Sequence, residues 1–250
     1  MKSSRIIQFA NPFLIFLLFI FSGCDEIVID DKDQELFFGT VWKADKVDYF
    51  NEGDLVRSDE YISGKALYEH YFTDTVLWIS VENGQYERGI NTYKYSDLHI
   101  DYGEGIPERV VTSIDNASMV IESDGLEHAI YPELYDYDHT TAYYSVAEES
   151  PLASSFEGEW DNYKMELIRD GKVVNTWELD TRIKYSKDGT VTYSNAETTS
   201  EGYYLLVDDK VVFSVNDKSV KTVKIDGDEM IQESYNPSLG TSRVYFRRVK

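Results

Sequence analysis

The sequence predicts an all-β protein built from two tandem units, each an antiparallel meander of strands. Three observations predict this class: apolar and polar residues alternate with a period of two, turn dipeptides recur at short intervals, and one set of landmarks occurs twice. The 250-residue chain is 42% hydrophobic and 14% aromatic, which supplies enough apolar area for folded domains and excludes a disordered chain.

The second half of the chain shows the strand pattern most clearly. Val191 and Tyr193 alternate with hydroxyl residues, and Tyr203, Leu205 and Val207 repeat the period of two. Turn signals separate such runs, at residues 170–171, 188–189, 208–209, 226–227 and 236–237. The chain from 160 to 250 therefore predicts about eight up-and-down strands, a number that can close into a barrel without exposed edges.

The same landmarks follow one another in both halves. Trp42 precedes Gly53 by the interval that separates Trp160 from Gly171, and segment 114–123 aligns with segment 225–234. A tandem duplication explains this order, and reuse of common turn chemistry in an all-β chain is the alternative. The predicted organisation is a first β-domain at 36–146, a linker rich in small and polar residues at 147–155, and a second β-domain at 156–250.

The N-terminal residues have the pattern of a targeting segment. Lys2 and Arg5 precede an unbroken apolar run at residues 13–21, which is shorter than the ~20 residues of a membrane-spanning helix. Residues 1–23 are therefore predicted to be a signal peptide. The small residues before Cys24, the single cysteine of the chain, resemble the lipobox of bacterial lipoproteins. This resemblance implies acyl chains on Cys24 that anchor the protein in a membrane, and the cysteine count excludes a disulfide framework.

Residues 24–35 are predicted to form an acidic tether. Six of residues 25–35 are Asp or Glu, which favours a solvated segment. Acidic residues directly after the cysteine also resemble the surface-export signal of lipoproteins from the Bacteroidetes phylum. The expected location is therefore the outer membrane, on its periplasmic face or at the cell surface.

The second unit carries a further family resemblance. Gly158-Glu159-Trp160 opens the predicted first strand, and Arg247 and Arg248 lie on the predicted last strand. This arrangement resembles the lipocalins, in which a Gly-x-Trp opens the barrel and a late Arg packs over the Trp. It implies lipocalin-like β-barrels with Trp42 and Trp160 as structural residues, although the segment before Trp42 has one additional residue and the last strand of the first unit has no Arg.

Composition and motifs argue against several function classes. The net charge of −22 and a pI near 4.4 exclude nucleic acid as a partner. The four His lack the spacing of a zinc site, and nucleophile-elbow, dinucleotide-binding and Walker motifs are missing from the sequence. We therefore predict a non-enzymatic protein with no metal or cofactor, while the abundant carboxylates leave a glycosidase-like pair open as an alternative.

One segment suggests a ligand site. Residues 131–139 form an insertion relative to the second unit, and aromatic rings beside carboxylates suit sugar binding. The candidate ligand-binding residues are Tyr131, Tyr135, Asp136, Tyr137 and Asp138. The alternative is an acidic loop that packs its tyrosine rings on the barrel rim.

The sequence thus predicts a membrane-anchored, non-enzymatic lipoprotein with a binding or scaffolding role at the outer membrane, and with a small apolar ligand or a glycan as its soluble partner. The alternative is a surface glycan-binding or adhesion module built on β-sandwich domains.

Overall fold

A computed structural model describes residues 31–62, 64–103, 106–124, 137–215 and 219–250. The predicted signal peptide, Cys24 and three of the candidate ligand residues, Tyr131, Tyr135 and Asp136, lie outside these ranges. Within them the chain is almost entirely β-structure, which confirms the predicted class. The described helices are α1 (Asp31–Gly39) and α2 (Ala153–Phe156), and neither has the length and apolar composition that crossing a membrane requires.

The second unit is a closed barrel, as predicted. Its strands are β11 (Gly158–Arg169), β12 (Lys172–Tyr185), β13 (Thr190–Ser194), β14 (Thr199–Val207), β15 (Lys210–Phe213), β16 (Lys221–Asp226), β17 (Glu229–Asn236) and β18 (Gly240–Arg248). Each strand pairs antiparallel with the next, and β18 pairs back to β11, with Trp160 opposite Arg248. Closure leaves this unit without a free sheet edge.

The first unit is a curled sheet of ten strands within the described ranges. These are β1 (Val41–Asn51), β2 (Asp54–Glu60), β3 (Lys65–Tyr71), β4 (Thr75–Glu82), β5 (Gln85–Thr92), β6 (Lys94–Ser96), β7 (His99–Asp101), β8 (Arg109–Ile114), β9 (Ser118–Asp124) and β10 (His139–Val146). The order is β5-β4-β3-β1-β10-β9-β8-β7-β6, with β2 paired to β1.

The first unit differs from the closed barrel predicted for it, because β5 and β6 lie at opposite edges of the sheet and are not paired in the described structure. A single residue, Tyr93, connects them, whereas the tightest common hairpin needs a two-residue loop. The Tyr93 N–H donates to the Asp74 carbonyl at 3.0 Å, which extends the pairing of β5 with β4 by one residue before the chain continues into β6. The prediction of two closed barrels therefore describes the second unit and not the described part of the first.

Each unit is closed at one end by a helix and a tryptophan. Phe37 on α1 and Phe156 on α2 are fully buried, and so are Trp42 and Trp160, which follow them. The Trp42 Nε1–H donates to the Phe37 carbonyl at 3.4 Å, and the Trp160 Nε1–H donates to the Phe156 carbonyl at 2.9 Å. Because Phe37 is part of the core, residues 31–35 of the predicted tether belong to a packed helix.

The two segments aligned from sequence form equivalent hairpins. Ile114 faces Met119 across β8 and β9, and Ile225 faces Met230 across β16 and β17. Both methionines are fully buried. The two hairpins share this pairing next to the turn and the buried methionine, as a tandem duplication predicts, and differ beyond it, where β8 has a bulge between Val111 and Ser113.

The two units pack against each other through a shared apolar cluster. Its buried members are Phe72, Leu77 and Ile79 of the first unit and Leu205, Val207 and Val212 of the second. The rings of Phe72 and Tyr203 stack with centroids 4.1 Å apart. The faces of β4 and β14 that meet here are therefore covered, and the two units share an apolar interface.

The predicted linker at 147–155 is packed between the units. The Ala147 N–H donates to the Val41 carbonyl at 2.9 Å, and the Ser150 hydroxyl donates to the Asp208 carbonyl at 2.5 Å. Helix α2 then begins at Ala153 and buries Phe156 in the barrel. The connection between the units is therefore ordered by bonds to both of them.

Candidate functional site

The concave face of the first unit encloses a cavity of about 370 Å³. It lies within the size range of small-molecule sites. Glu69 on β3, Trp78 on β4 and Asn91 on β5 line one side, while Tyr102 and Arg109 line it from the β7–β8 region. Successive side chains of a strand point to opposite faces, so β4 presents Trp78 to the cavity and its neighbours Leu77 and Ile79 to the second unit.

The indole ring of Trp78 is held in place from two sides. It lies on the backbone of Gly89, the residue opposite it on β5, where an added Cβ would stand 2.2 Å from the ring. Its Nε1–H donates to the Asn91 Oδ1 at 3.1 Å. The absence of a side chain at Gly89 thus makes room for the ring, and Asn91 fixes its orientation.

Glu69 is a buried carboxylate with phenol neighbours. It is 6% exposed, and its Oε2 accepts a hydrogen bond from the Tyr71 hydroxyl at 3.1 Å. Burial raises the pKa values of Tyr71 and Tyr144, and the Glu69 carboxylate raises both further. The two phenols therefore stay protonated and present donors to Glu69, which compensates the cost of burying its charge.

Arg109 lies on the opposite wall. Its guanidinium carbon is 5.2 Å from the ring centroid of Tyr102, a cation–π contact. Burial raises the pKa of Tyr102, against the opposing effect of the Arg109 charge. Within the part of the chain that the structure describes, the guanidinium makes no hydrogen bond and no ion pair, so its donors face the cavity.

The sequence did not single out these residues. A signal was present for Glu69, because Leu67, Glu69 and Tyr71 share one parity on β3 and the pattern therefore places a charge on the inward face. A signal was also present for Trp78 and Gly89, because Asn83-Gly84 is a two-residue hairpin turn that sets the register of β4 against β5 and places Gly89 opposite Trp78.

Two of the candidate ligand residues lie elsewhere. The Asp138 Oδ2 accepts a hydrogen bond from the Glu52 N–H at 2.8 Å, and the Tyr137 ring contacts that of Tyr49 with centroids 5.0 Å apart. Both therefore pack against the β1–β2 hairpin, and neither is among the described residues that line the cavity. This placement agrees with the packing alternative for these two residues.

The structure assigns different partners to the two C-terminal arginines. The Arg248 guanidinium lies over the Trp160 ring, 4.2 Å from its centroid, and donates to the carbonyls of Ser155 and Glu157. Arg247 points the other way and pairs with Glu229 at 3.0 Å. Trp42 in the first unit has no such cation among the described residues.

A second cavity opens at the end of the barrel away from Trp160, with a volume of about 1220 Å³. Large side chains on its rim are exposed, among them Trp177, Tyr235 and Leu239. Of its lining carboxylates Glu87 and Glu233, the latter is already paired with Lys224 at 3.1 Å and Arg243 at 2.6 Å.

The described residues contain no group of three or more His, Cys, Asp or Glu side chains that could hold a metal ion.

Comparisons with known proteins give little to place beside this geometry. No protein-family model matches the chain, and no curated protein matches it. A similar solved structure is that of a protein of unknown function from the DUF3598 family of Nostoc punctiforme, at 13% identity and a TM-score of 0.27. The alignment covers 87% of this chain and 99% of that one.

Proposed function

We propose that this chain is a membrane-anchored, non-enzymatic lipoprotein with a binding role at the outer membrane, and that its ligand occupies the cavity of the first unit. The observation that carries the proposal is a cavity with a fixed aromatic ring, Trp78, and an arginine, Arg109, that has no hydrogen-bond acceptor among the described residues. Small-molecule sites combine apolar walls with a few placed polar groups in this way.

The cavity also favours binding over carboxylate catalysis. Glycoside hydrolysis of the common type needs two carboxyl groups on opposite sides of the scissile bond. Of the described acidic residues, Glu69 alone lines this cavity, and its Oε2 is engaged by Tyr71. The arrangement therefore supports a role in holding a ligand.

The proposed anchor gives the first prediction. Cys24→Ala should abolish acylation and release the protein from the membrane fraction, because diacyl and N-acyl chains supply the membrane affinity of a lipoprotein. Incorporation of radiolabelled palmitate and fractionation of the cells measure both effects. Ser22→Ala, which keeps a small residue before the cysteine, is the matched control and should still be labelled. Label in the Cys24→Ala protein would contradict the proposed anchor.

The proposed site gives the second prediction. Protein purified from the cells that produce it natively should carry a ligand that native mass spectrometry detects. Gly89→Ala should reduce the bound fraction, because the new Cβ displaces the Trp78 ring. Gly39→Ala is the control, since an added Cβ there meets no atom within 4 Å and its backbone is not in the left-handed region. Equal occupancy in both variants would argue against this cavity.

A glycan-binding or adhesion role is the second candidate, and the rim of the barrel favours it. Trp177 is 37% exposed and Tyr235 is 70% exposed, so two aromatic faces are available for stacking on sugar rings. Affinity electrophoresis in gels containing soluble polysaccharides tests this role: Trp177→Ala should lose any retardation that the glycan causes, whereas Gly89→Ala should keep it.

A further inference from the structure

The charge balance of the first-unit cavity indicates which chemical group its ligand carries. A guanidinium has five N–H donors in a planar fork, and this fork matches the two oxygens of a carboxylate. One face of the Arg109 guanidinium lies over the Tyr102 ring in a cation–π contact, and none of its N–H donors bonds to a described residue. The cavity therefore presents a cation whose donors have no acceptor within the described protein.

Glu69 does not fill that role. It lines the same cavity, yet it forms no ion pair with Arg109 within 4.0 Å. Its Oε2 instead accepts the Tyr71 hydroxyl, and Tyr144 lies against the same carboxylate and has its pKa raised by it. The Glu69 charge is near enough to help raise the pKa of Arg109, but it does not hydrogen-bond the fork, so the Arg109 donors have no acceptor among the described residues.

Apart from Glu69 and Arg109, the described lining carries no charge: it is largely apolar and aromatic, with Ser80 and Asn91 as uncharged polar residues. Tyr61, Leu67, Val76 and Ile106 line the cavity together with the fixed ring of Trp78. Such a wall contacts a flat or apolar body and cannot satisfy further charges. The ligand therefore needs one charged end and one uncharged body.

We infer that the cavity binds a small monocarboxylate with an aromatic or similarly flat apolar body, the carboxylate pairing with Arg109 and the body lying against Trp78. This inference rests on the proposed function, since it names the chemical class of the ligand for the same site. The bond to Arg109 is ionic and hydrogen-bonded, so that binding involves no covalent step.

A matched pair of probes tests the inference on the full-length chain. 2-Naphthoate carries the carboxylate, and 2-naphthamide has the same ring and a neutral amide. Isothermal titration calorimetry should show naphthoate binding roughly tenfold to a hundredfold more tightly, as expected for a hydrogen bond to a charged group. Arg109→Met should remove this preference, while Arg57→Met should keep it, because Arg57 is paired with Asp59 on the surface of the same unit.

The outcomes separate the two levels of the proposal. If both probes bind equally to the wild type and Gly89→Ala weakens both, the cavity is a binding site and the carboxylate inference is wrong. If Arg109→Met retains the preference for naphthoate, the inference is also wrong. If neither probe binds, both the inference and the proposed site are overturned.

Discussion

Trp160→Ala should lower the free energy of unfolding by about 3–5 kcal/mol, which is the usual cost of deleting a large buried aromatic side chain. The Trp160 ring is fully buried at the closed end of the barrel, under Phe156 and opposite Arg248. Its removal leaves a cavity and deprives the Arg248 guanidinium of its aromatic face. Urea unfolding followed by far-UV circular dichroism measures the change.

The neighbouring arginines provide a matched comparison for this end of the barrel. Arg248→Met should destabilise the protein, because it removes a cation–π contact of about 0.5–2 kcal/mol and two hydrogen bonds to carbonyl groups. Arg247→Met should have a smaller effect, because its pair with Glu229 and its cation–π contact with Tyr163 are exposed, and each such exposed contact contributes about 0–1 kcal/mol. Equal losses in the two variants would contradict the assignment of Arg248 to the Trp160 ring.

Trp42→Ala tests the first unit in the same way. Trp42 is also fully buried and donates to a helix carbonyl, so the loss of burial should be comparable. Within the described structure, Trp42 has no arginine over its ring. The losses of unfolding free energy should therefore add when Trp42→Ala is combined with Arg248→Met. They should sum to less than the two single losses when Trp160→Ala is combined with Arg248→Met. Additive losses in both pairs would contradict a direct contact between Arg248 and Trp160.

The strands of the second unit could be predicted from sequence because its core residues come from strands that are consecutive in the chain. Val191 and Tyr193 alternate with hydroxyl residues, and every strand pairing except that of β18 with β11 joins consecutive strands. The choice between Arg247 and Arg248 was not readable. It depends on the pairing of β18 with β11, and a shift of one residue would have exchanged their faces.

The first unit was less predictable for two physical reasons. The missing pairing of β5 with β6 follows from their single connecting residue, Tyr93, which is too short a link for a hairpin loop. Its interface with the second unit depends on β4, where residues 76–79 are apolar at every position. Such a run is typical of a strand covered on both faces, but it does not identify what covers it.

The candidate site could not be predicted because one of its walls comes from a distant part of the sheet. Glu69 and Trp78 face each other on the paired strands β3 and β4, but only the curl of the sheet brings Arg109 on β8 to the same cavity. The sequence drew attention instead to a run of tyrosines and aspartates, of which Tyr137 and Asp138 pack against the β1–β2 hairpin. The unusual composition of this segment thus drew attention to a loop, whereas the cavity is lined by strand residues whose local sequence is not unusual.

His70 sits where the two units meet and should make their stability depend on pH. It is 5% exposed, its ring packs on Phe72 with centroids 4.2 Å apart, and its Nε2–H donates to the Phe38 carbonyl at 3.1 Å. Gly189 of the second unit comes so close that an added Cβ would lie 2.8 Å from the ring. Burial lowers the pKa of His70 from 6.5 to about 4, although the Phe38 carbonyl and Asp188 oppose this effect.

The direction of the pH dependence follows from this shift. Above pH 6.5 the imidazole is neutral in the folded and unfolded chains and has no effect on the balance. Between 6.5 and about 4 the unfolded chain binds the proton more tightly, so stability falls as the pH falls through this window. The full loss amounts to about 3 kcal/mol, and below the folded pKa it grows no further.

Urea unfolding at pH values from 7.5 down to 5 should therefore show a falling midpoint in the wild type. His70→Gln keeps a donor for the Phe38 carbonyl without a titrating ring, so its unfolding free energy should depend less on pH over this range. Carboxylates titrate mainly below this range, and the difference between wild type and variant removes their contribution. Parallel curves for the wild type and His70→Gln would show that the interface does not hold this histidine neutral.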